Sequence, residues 1–167
     1  MCIRDSYKHS AKDRQLQQTS VDSLYVLNED LAVSVARIRT LRDTVRLRLA
    51  DTSYEAETRR ALQALHDTAV AVNNDLVNSK VGFVTGEEQL RERLAALYGE
   101  VNGYLGRPSE AQLVLMHVLS ARVAGGRDRV ERVLRDDVAV ANAALRAASR
   151  RPIAVEARAS TYQRLTK

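Results

Sequence analysis

The sequence predicts an all-α protein, an antiparallel bundle of three to four long helices. Leu, Val and Ile recur at steps of three and four residues, which places them on one face of each helix. Ala, Leu, Val, Arg and Glu dominate the composition, whereas the 167 residues include only 7 Gly and 2 Pro. Residues of helix-capping type also precede the predicted helices, which span approximately residues 20–50, 54–80, 87–105 and 109–149.

The first long helix is predicted over residues 20–50. Four apolar residues repeat in it every seven positions, namely Leu24, Leu31, Ile38 and Val45. This coiled-coil-like spacing is typical of helices that pack against partner helices at shallow angles. The preceding residues 7–19 are polar and have no clear period, so they are compatible with a helix or with an irregular lead-in.

The second helix is predicted over residues 54–80. Thr52 and Glu55 form a capping-box pattern at its start. One face is apolar and consists of Leu62, Leu65, Ala69, Val72 and Leu76. The sequence VGFVTG at 81–86 contains the only phenylalanine, Phe83, and we interpret it as a hydrophobic loop over the end of the core. A loop of this length leaves open whether the third helix reverses direction or continues that of the second.

A tight helical hairpin is predicted around residues 90–112. Its first helix has an apolar face made of Leu90, Leu94, Leu97, Val101 and Tyr104. Gly106 is expected to end this helix in a left-handed conformation, and Pro108 prevents its continuation. Ser109 and Gln112 form a capping box that starts the next helix. Two helices joined this closely should lie antiparallel.

The last long helix is predicted over residues 109–149. Its apolar face consists of Leu115, Leu119, Val123, Val130, Leu134, Val138, Ala141 and Leu145. Because Val130, Leu134 and Val138 follow one another at four-residue steps, the helix should curve or rotate there. The adjacent Gly125 and Gly126 predict either a close approach to a neighbouring helix or a local kink.

The C-terminal residues 152–167 form a basic tail after Pro152. Residues 146–167 contain six basic residues and one acidic residue, which accounts for the whole net charge of +5. We interpret the tail as solvated and frayed, with a short helix as an option over residues 155–165. The charge does not favour a nucleic-acid partner, because no aromatic residues are interleaved for base stacking. No apolar run approaches the ~20 residues of a transmembrane helix.

The first six residues, MCIRDS, resemble a translated sequencing adapter of the kind found on proteins from metagenomic assemblies. We therefore interpret residues 1–6 as an artefact, residues 7–19 as the lead-in, residues 20–151 as the bundle, and residues 152–167 as the tail. On this interpretation the only cysteine, Cys2, is not native, and the chain is a fragment of a longer protein.

The sequence offers no catalytic, cofactor-binding or metal-ligating constellation, so we assign no site residues and predict that the chain is not an enzyme. His9, His66 and His117 belong to different predicted elements and lack the companions of a metal site. Asp136 and Asp137 are adjacent, so they point to different faces of a helix and cannot form an acid/base pair. The same argument applies to the adjacent glutamates at positions 87 and 88.

The helical hairpin resembles a known family. LRERLAALYGEVNGYLGRP at 90–108, followed by SEAQ, is similar to the C-terminal helical region of large bacterial sortilin-like, sialidase-like β-propeller proteins, often named glycosyl hydrolases with neuraminidase-type repeats. Asp137 and Asn142 match the family's Asp-x-x-x-x-Asn segment, and residues 30–45 resemble its first long helix. The resemblance covers roughly residues 22–153. The chain departs from the family pattern at 81–86 and in continuing beyond residue 153.

The resemblance implies a non-catalytic C-terminal structural or interaction module of an exported β-propeller protein, secreted or located in the cell envelope. Its partner would be the upstream propeller of the same parent chain, and any hydrolytic chemistry would belong to that propeller. No catalytic residue carries over, because no position here matches a propeller motif. The alternative is an independent helical bundle that self-associates or serves as a sensor or adaptor, for which the heptad pattern of the first helix is the main support.

Overall fold

The computed structural model describes residues 9–77 and 89–166, and this part of the chain is helical without a strand. The elements are α1 (Ala11–Leu49), α2 (Ala56–Leu76), α3 (Leu90–Gly103), α4 (Glu110–Arg132), a π-helical turn (Val133–Asp137), α5 (Val138–Ala147) and α6 (Arg158–Leu165). The predicted all-α class is confirmed. The predicted loop at 81–86 and the adapter-like residues 1–6 lie outside the described residues.

Helix α1 begins earlier than predicted, at Ala11 rather than near Ser20. Ser10 and Asp13 form a capping box: the Asp13 backbone N–H donates to Ser10 Oγ (3.1 Å), and the Ser10 N–H donates to Asp13 Oδ2 (3.2 Å). The described part of the predicted lead-in is therefore mostly helix. The four heptad residues are buried as predicted, each at most 2% exposed.

Helices α1 and α2 are antiparallel. Arg59, near the start of α2, donates to the Leu49 carbonyl oxygen at the end of α1 (3.3 Å). Arg39, nearer the middle of α1, donates to the Asn73 side-chain oxygen near the end of α2 (3.1 Å). The apolar faces of the two helices are buried against each other in the main core.

Helix α3 continues the direction of α2, which settles the question that the sequence left open. Gly126 of α4 lies beside Leu76 at the end of α2 and Leu90 at the start of α3. Gln112, at the start of α4, approaches Glu100 near the end of α3 (3.4 Å). Helices α3 and α4 are therefore antiparallel, as the hairpin predicted, and α2 and α3 form one interrupted rod along the bundle.

Helix α4, the π turn and α5 form a third rod that runs parallel to α1. Asp30 of α1 pairs with Arg127, and Arg37, further along α1, pairs with Glu131. The apolar face predicted for this rod is buried, except that Leu115 is only partly buried. The described residues thus form an up-down-up bundle whose core lies between α1, the interrupted rod α2–α3, and α4–α5.

The predicted irregularities of the last rod are both present. The four-residue steps at Val130, Leu134 and Val138 coincide with the π turn, which inserts the extra backbone needed to rotate the apolar face. A Cβ on Gly126 would stand 2.7 Å from Leu76 Cδ2, so close helix approach explains this glycine. A Cβ on Gly125 would meet no neighbouring side chain within 4 Å, so packing does not require a glycine there.

Two predicted turn signals are wrong. The Thr52 capping box does not form; Glu55 is the N-cap of α2 without a side-chain cap, and Asp51 instead accepts from the Ser53 N–H (2.9 Å). Gly106 has no positive φ. A side chain there would collide with the rings of Tyr104 and His9, whose centroids are 5.7 Å apart, so close packing explains the glycine.

The ends of the hairpin helices also differ from prediction in one place. Helix α3 ends at Gly103, so Tyr104 lies beyond it and is 56% exposed instead of lying on the buried face. The predicted capping box of α4 is confirmed: the Gln112 N–H donates to Ser109 Oγ (3.2 Å), and the Ser109 N–H donates to Gln112 Oε1 (2.9 Å).

The prediction of a frayed tail is wrong for residues 152–166, the described part of the predicted tail. Helix α5 ends at Ala147, Ser149 adopts a left-handed conformation (φ 55°), and the chain then returns along α1 to α6. Ile153 is buried, and Thr161 of α6 is fully buried. The short helix envisaged at 155–165 is present as α6, and it packs against α1, where Arg158 lies at Asp30.

Candidate interaction surface

A network of charged side chains fastens the returning C-terminal segment to the bundle. Arg158 of α6 pairs with Asp30 of α1, which also pairs with Arg127 of α4 (3.4 Å). Arg37 pairs with Glu131 of α4 and is only 8% exposed. Three elements are therefore joined at one point, where each of these three arginines has an anionic partner.

Backbone groups of the returning segment are also bound. Arg37 donates to the Glu156 carbonyl oxygen (3.2 Å), and Arg48 donates to that of Pro152 (3.1 Å). Arg150 lies over the Tyr54 ring, 5.3 Å from its centroid, and donates to Ser53 Oγ (2.8 Å). In the C-terminal segment, Arg150, Arg158 and Arg164 are thus all bound to groups of the protein and do not form a free cationic surface.

An apolar ridge on α1 stays exposed beside this network. Val26 is 60% exposed and Tyr25 is 54% exposed, although both lie within a helix whose opposite face is fully buried. Val26 lines two grooves. The groove between α1 and α4 is lined by Thr19, Asp22, Ser23, Val26, Leu27, Met116, His117 and Ser120. The groove between α1 and α6 is lined by Val26, Glu29, Asp30, Val33, Arg158, Ala159, Tyr162 and Gln163.

Acidic groups border the ridge on both sides. Asp22 precedes Val26 by one helical turn and accepts from Gln18 Nε2 (2.8 Å). Glu29 follows Val26 by one turn and accepts a hydrogen bond from the Tyr25 hydroxyl, which raises the pKa of Tyr25 above its ordinary value. We call the exposed Tyr25 and Val26, together with Asp22 and Glu29 at their border, the Val26 ridge.

The structure keeps the residues considered for chemistry apart. His9 precedes α1 and contacts Tyr104, His66 lies on α2 beside Asp67 (3.5 Å), and His117 lines the α1–α4 groove. In the part of the chain that the structure describes, no three His, Cys, Asp or Glu side chains come together as metal ligands.

The structure also shows where Asp136, Asp137 and Asn142 lie, the residues considered above for chemistry or for the family resemblance. Arg135 binds both carboxylate oxygens of Asp136 (2.8 and 2.9 Å), and this hydrogen bonding lowers the pKa of Asp136. Asp137 ends the π turn. Asn142 is 8% exposed and binds the backbone of Ile153 through both its side-chain atoms. None of these contacts places a nucleophile beside a base.

Sequence reasoning did not identify the Val26 ridge. Tyr25 and Val26 lie next to the heptad residue Leu24, and an apolar residue off the buried stripe is common on protein surfaces. The available signal was the pair of consecutive apolar residues bordered by Asp22 and Glu29 at helical spacing. Tyr162 gave even less signal, because it approaches α1 only through the return of the C-terminal segment.

Among the described residues, no helix has the length and apolarity needed to cross a lipid bilayer. Comparisons of the chain with protein-family profiles, with curated proteins and with solved structures found no match.

Proposed function

We propose that this chain is a non-catalytic helical interaction module. The observation that carries the proposal is the Val26 ridge, where exposed apolar side chains lie beside two grooves. Exposed apolar residues that lie together and are bordered by polar groups are typical of surfaces that bind another protein. The charged residues near the ridge mostly hold the bundle together, which favours a scaffold role over a catalytic one.

The finer form of the proposal is a C-terminal module of an exported β-propeller protein, in the secreted fraction or the cell envelope. It rests on the resemblance of residues 90–112, 30–45 and the Asp137–Asn142 pair to the helical region of sialidase-like propeller proteins. The antiparallel α3–α4 hairpin and its Ser109 capping box agree with the part of the resemblance that concerns helical structure. The partner would then be the propeller of the same parent chain.

The test of this proposal is to sequence the genomic locus through the coding frame upstream of residue 7. We expect a signal peptide followed by short β-repeats with Ser-x-Asp-x-Gly-x-Thr-Trp boxes. An in-frame stop codon, or a neighbouring helical domain, would remove the propeller from the proposal.

The second candidate is a self-associating helical bundle with a sensor or adaptor role. The exposure of Leu47 (71%) and Val26 favours it, because apolar side chains on α1 could be buried between two copies. Sedimentation velocity over a wide concentration range discriminates between the two. A concentration-dependent dimer whose formation is lost in Val26→Asp would favour self-association, whereas a monomer throughout would exclude it.

We also propose that the purified chain hydrolyses neither sialosides nor other glycosides. Glycoside hydrolysis by two carboxyl groups requires an acid and a base or nucleophile that face one site. Asp136 is adjacent to Asp137 in the sequence, but its carboxylate is bound by Arg135. The assay compares the natural chain with Asp137→Asn on fluorogenic glycosides. Turnover that persists through purification and disappears in Asp137→Asn would overturn the proposal.

A further inference from the structure

We propose that the Val26 ridge binds a basic amphipathic helix of a partner protein. The inference rests on the proposed function as an interaction module and adds to it the site and the chemistry of its ligand. The partner helix would place its apolar face on Val26 and in the α1–α4 groove, with one basic residue at Asp22 in that groove and another at Glu29, at the edge of the α1–α6 groove.

The apolar part of the surface has the form that a helix requires. Val26 stands between two grooves, and the groove towards α4 has Leu27 and Met116 along its walls. Leu27 and Met116 are partly buried against the core, so they provide a firm apolar base. Helices pack with the side-chain ridges of one helix in the grooves of the other, and a surface with a ridge between two grooves suits such packing. A methionine in such a groove also adapts its shape to the ligand.

The charge of the ridge is opposite to that of the whole chain. The net charge is +5, yet the charged residues that border Val26 along α1 are the acidic Asp22, Glu29 and Asp30. The nearest cation in the grooves, Arg158, is already paired with Asp30. The described lining of the α1–α4 groove contains acidic Asp22 and no Lys or Arg. The α1–α4 groove therefore attracts a basic ligand and repels an acidic one.

The spacing of the two acidic residues sets the pattern of the partner. Asp22 and Glu29 are seven residues apart, so about 10 Å of helix separates their Cα atoms. A partner helix lying along α1 would present basic residues about two turns apart, with apolar residues between them. Charge-assisted pairs at both ends would also fix the register of the helix.

The chain contains one example of this type of contact. Helix α6 is short and basic, and it packs on α1 with Arg158 at Asp30 and Tyr162 in the groove beside Val26. It thus combines a cation bound to an α1 carboxylate with an aromatic ring on the apolar ridge. The α1–α4 groove on the other side of Val26 has an acidic residue and apolar walls, but no helix of the described chain occupies it.

The test measures binding of a labelled helical peptide to the full chain by fluorescence anisotropy. The probe is a synthetic Leu/Ala/Lys peptide with two Lys seven residues apart and Leu between them. Its control has Glu in place of each Lys. We expect the Lys peptide to bind at least about tenfold more tightly than the Glu peptide, and its affinity to fall as salt is raised.

Variants locate the binding site. Val26→Asn and the double variant Asp22→Lys/Glu29→Lys should each weaken binding of the Lys peptide about tenfold or more. The matched controls are Leu47→Asn, another exposed apolar residue of α1, and Glu57→Lys/Asp67→Lys on α2, and these should change affinity less than about twofold. Circular dichroism melting confirms that each variant is folded.

Three results would overturn the inference: no binding of the Lys peptide, equal binding of both peptides, or equal effects of ridge and control variants. A dimer in sedimentation velocity that is abolished by Val26→Asp would also overturn it. None of these results affects the sequencing of the genomic locus. The two tests therefore distinguish failure of the binding-site inference from failure of the propeller proposal.

Discussion

Asn142 on α5 and Ile153 in the returning segment are joined by two hydrogen bonds. The Ile153 N–H donates to Asn142 Oδ1 (2.6 Å), and Asn142 Nδ2 donates to the Ile153 carbonyl oxygen (3.0 Å). The asparagine is 8% exposed and the isoleucine 4%. The side-chain amide uses one of its two N–H donors and its oxygen in these bonds, so it takes the place of a backbone partner that the extended segment lacks.

Asn142→Ala should therefore loosen the C-terminal segment. The substitution leaves the buried Ile153 N–H and carbonyl without partners, and we expect a loss of about 1–3 kcal/mol in the free energy of unfolding. Hydrogen exchange should accelerate in residues 153–165 more than in α1. Asn102→Ala, at an exposed position of α3, is the control and should stay within about 0.5 kcal/mol of the natural chain. Equal losses in the two variants would contradict the role given to Asn142.

Regular spacing within one helix was the most informative part of the sequence. The seven-residue repeat of α1 and the three-four steps of α2 identified buried faces, because burial on a helix follows its own period. The Ser10 capping box was missed because the third residue of the helix is Asp13, whereas the usual capping-box residue at that position is Glu or Gln. The Thr52 pattern misled because Asp51 captures the Ser53 N–H and closes a turn before the helix begins.

Contacts between distant segments could not be predicted. The pairing of Arg158 with Asp30 joins residues at opposite ends of the chain, and nothing in the local sequence of either indicates the other. The same holds for the shared direction of α2 and α3, which depends on how both pack on α4. The Val26 ridge follows from these placements, because α4 and α6 form the walls of its grooves.

Gly125 and Gly126 should respond oppositely to alanine. Gly125→Ala should stabilise the protein by about 0.5–1 kcal/mol, since alanine is the better helix former and the position is open. At Gly126 the new methyl group meets Leu76, a side chain that is only 3% exposed. Overpacking costs about 1–3 kcal/mol, so Gly126→Ala should destabilise. Thermal melts compare the pair, and stabilisation by both would show that α2 can shift away from α4.

Leu97 tests the buried face of α3. It is 1% exposed within the main core, so Leu97→Ala should reduce the free energy of unfolding by about 2–5 kcal/mol. Arg93→Ala, on the same helix but off the buried face, should change it by less than about 0.5 kcal/mol. Urea unfolding followed by circular dichroism provides both values. Similar midpoints for the two variants would mean that the face of α3 is wrongly assigned.

Glu156 should make the attachment of α6 dependent on pH. Its carboxylate accepts hydrogen bonds from Arg164 and Thr161, both at 3.1 Å. The bond from Arg164 is the main reason why the pKa of Glu156 lies below its ordinary value, with a further contribution from Thr161. A carboxyl group with a depressed pKa in the folded state stabilises it above the pKa of the unfolded state, which is about 4.3 for glutamate.

This stabilisation is lost as the pH falls through the lower, folded-state pKa of Glu156, because protonation removes the charge that Arg164 binds. The protection of α6 amides, taken relative to the intrinsic exchange rate at each pH, should therefore fall on acidification below the ordinary glutamate pKa of about 4.3, earlier than the protection of α3. Glu156→Gln keeps the size of the side chain but removes its titration. Its α6 should exchange faster at neutral pH and change less on acidification. If the natural chain and Glu156→Gln show the same pH profile in α6, another acidic group controls the attachment, with Asp30 at Arg158 the first to test.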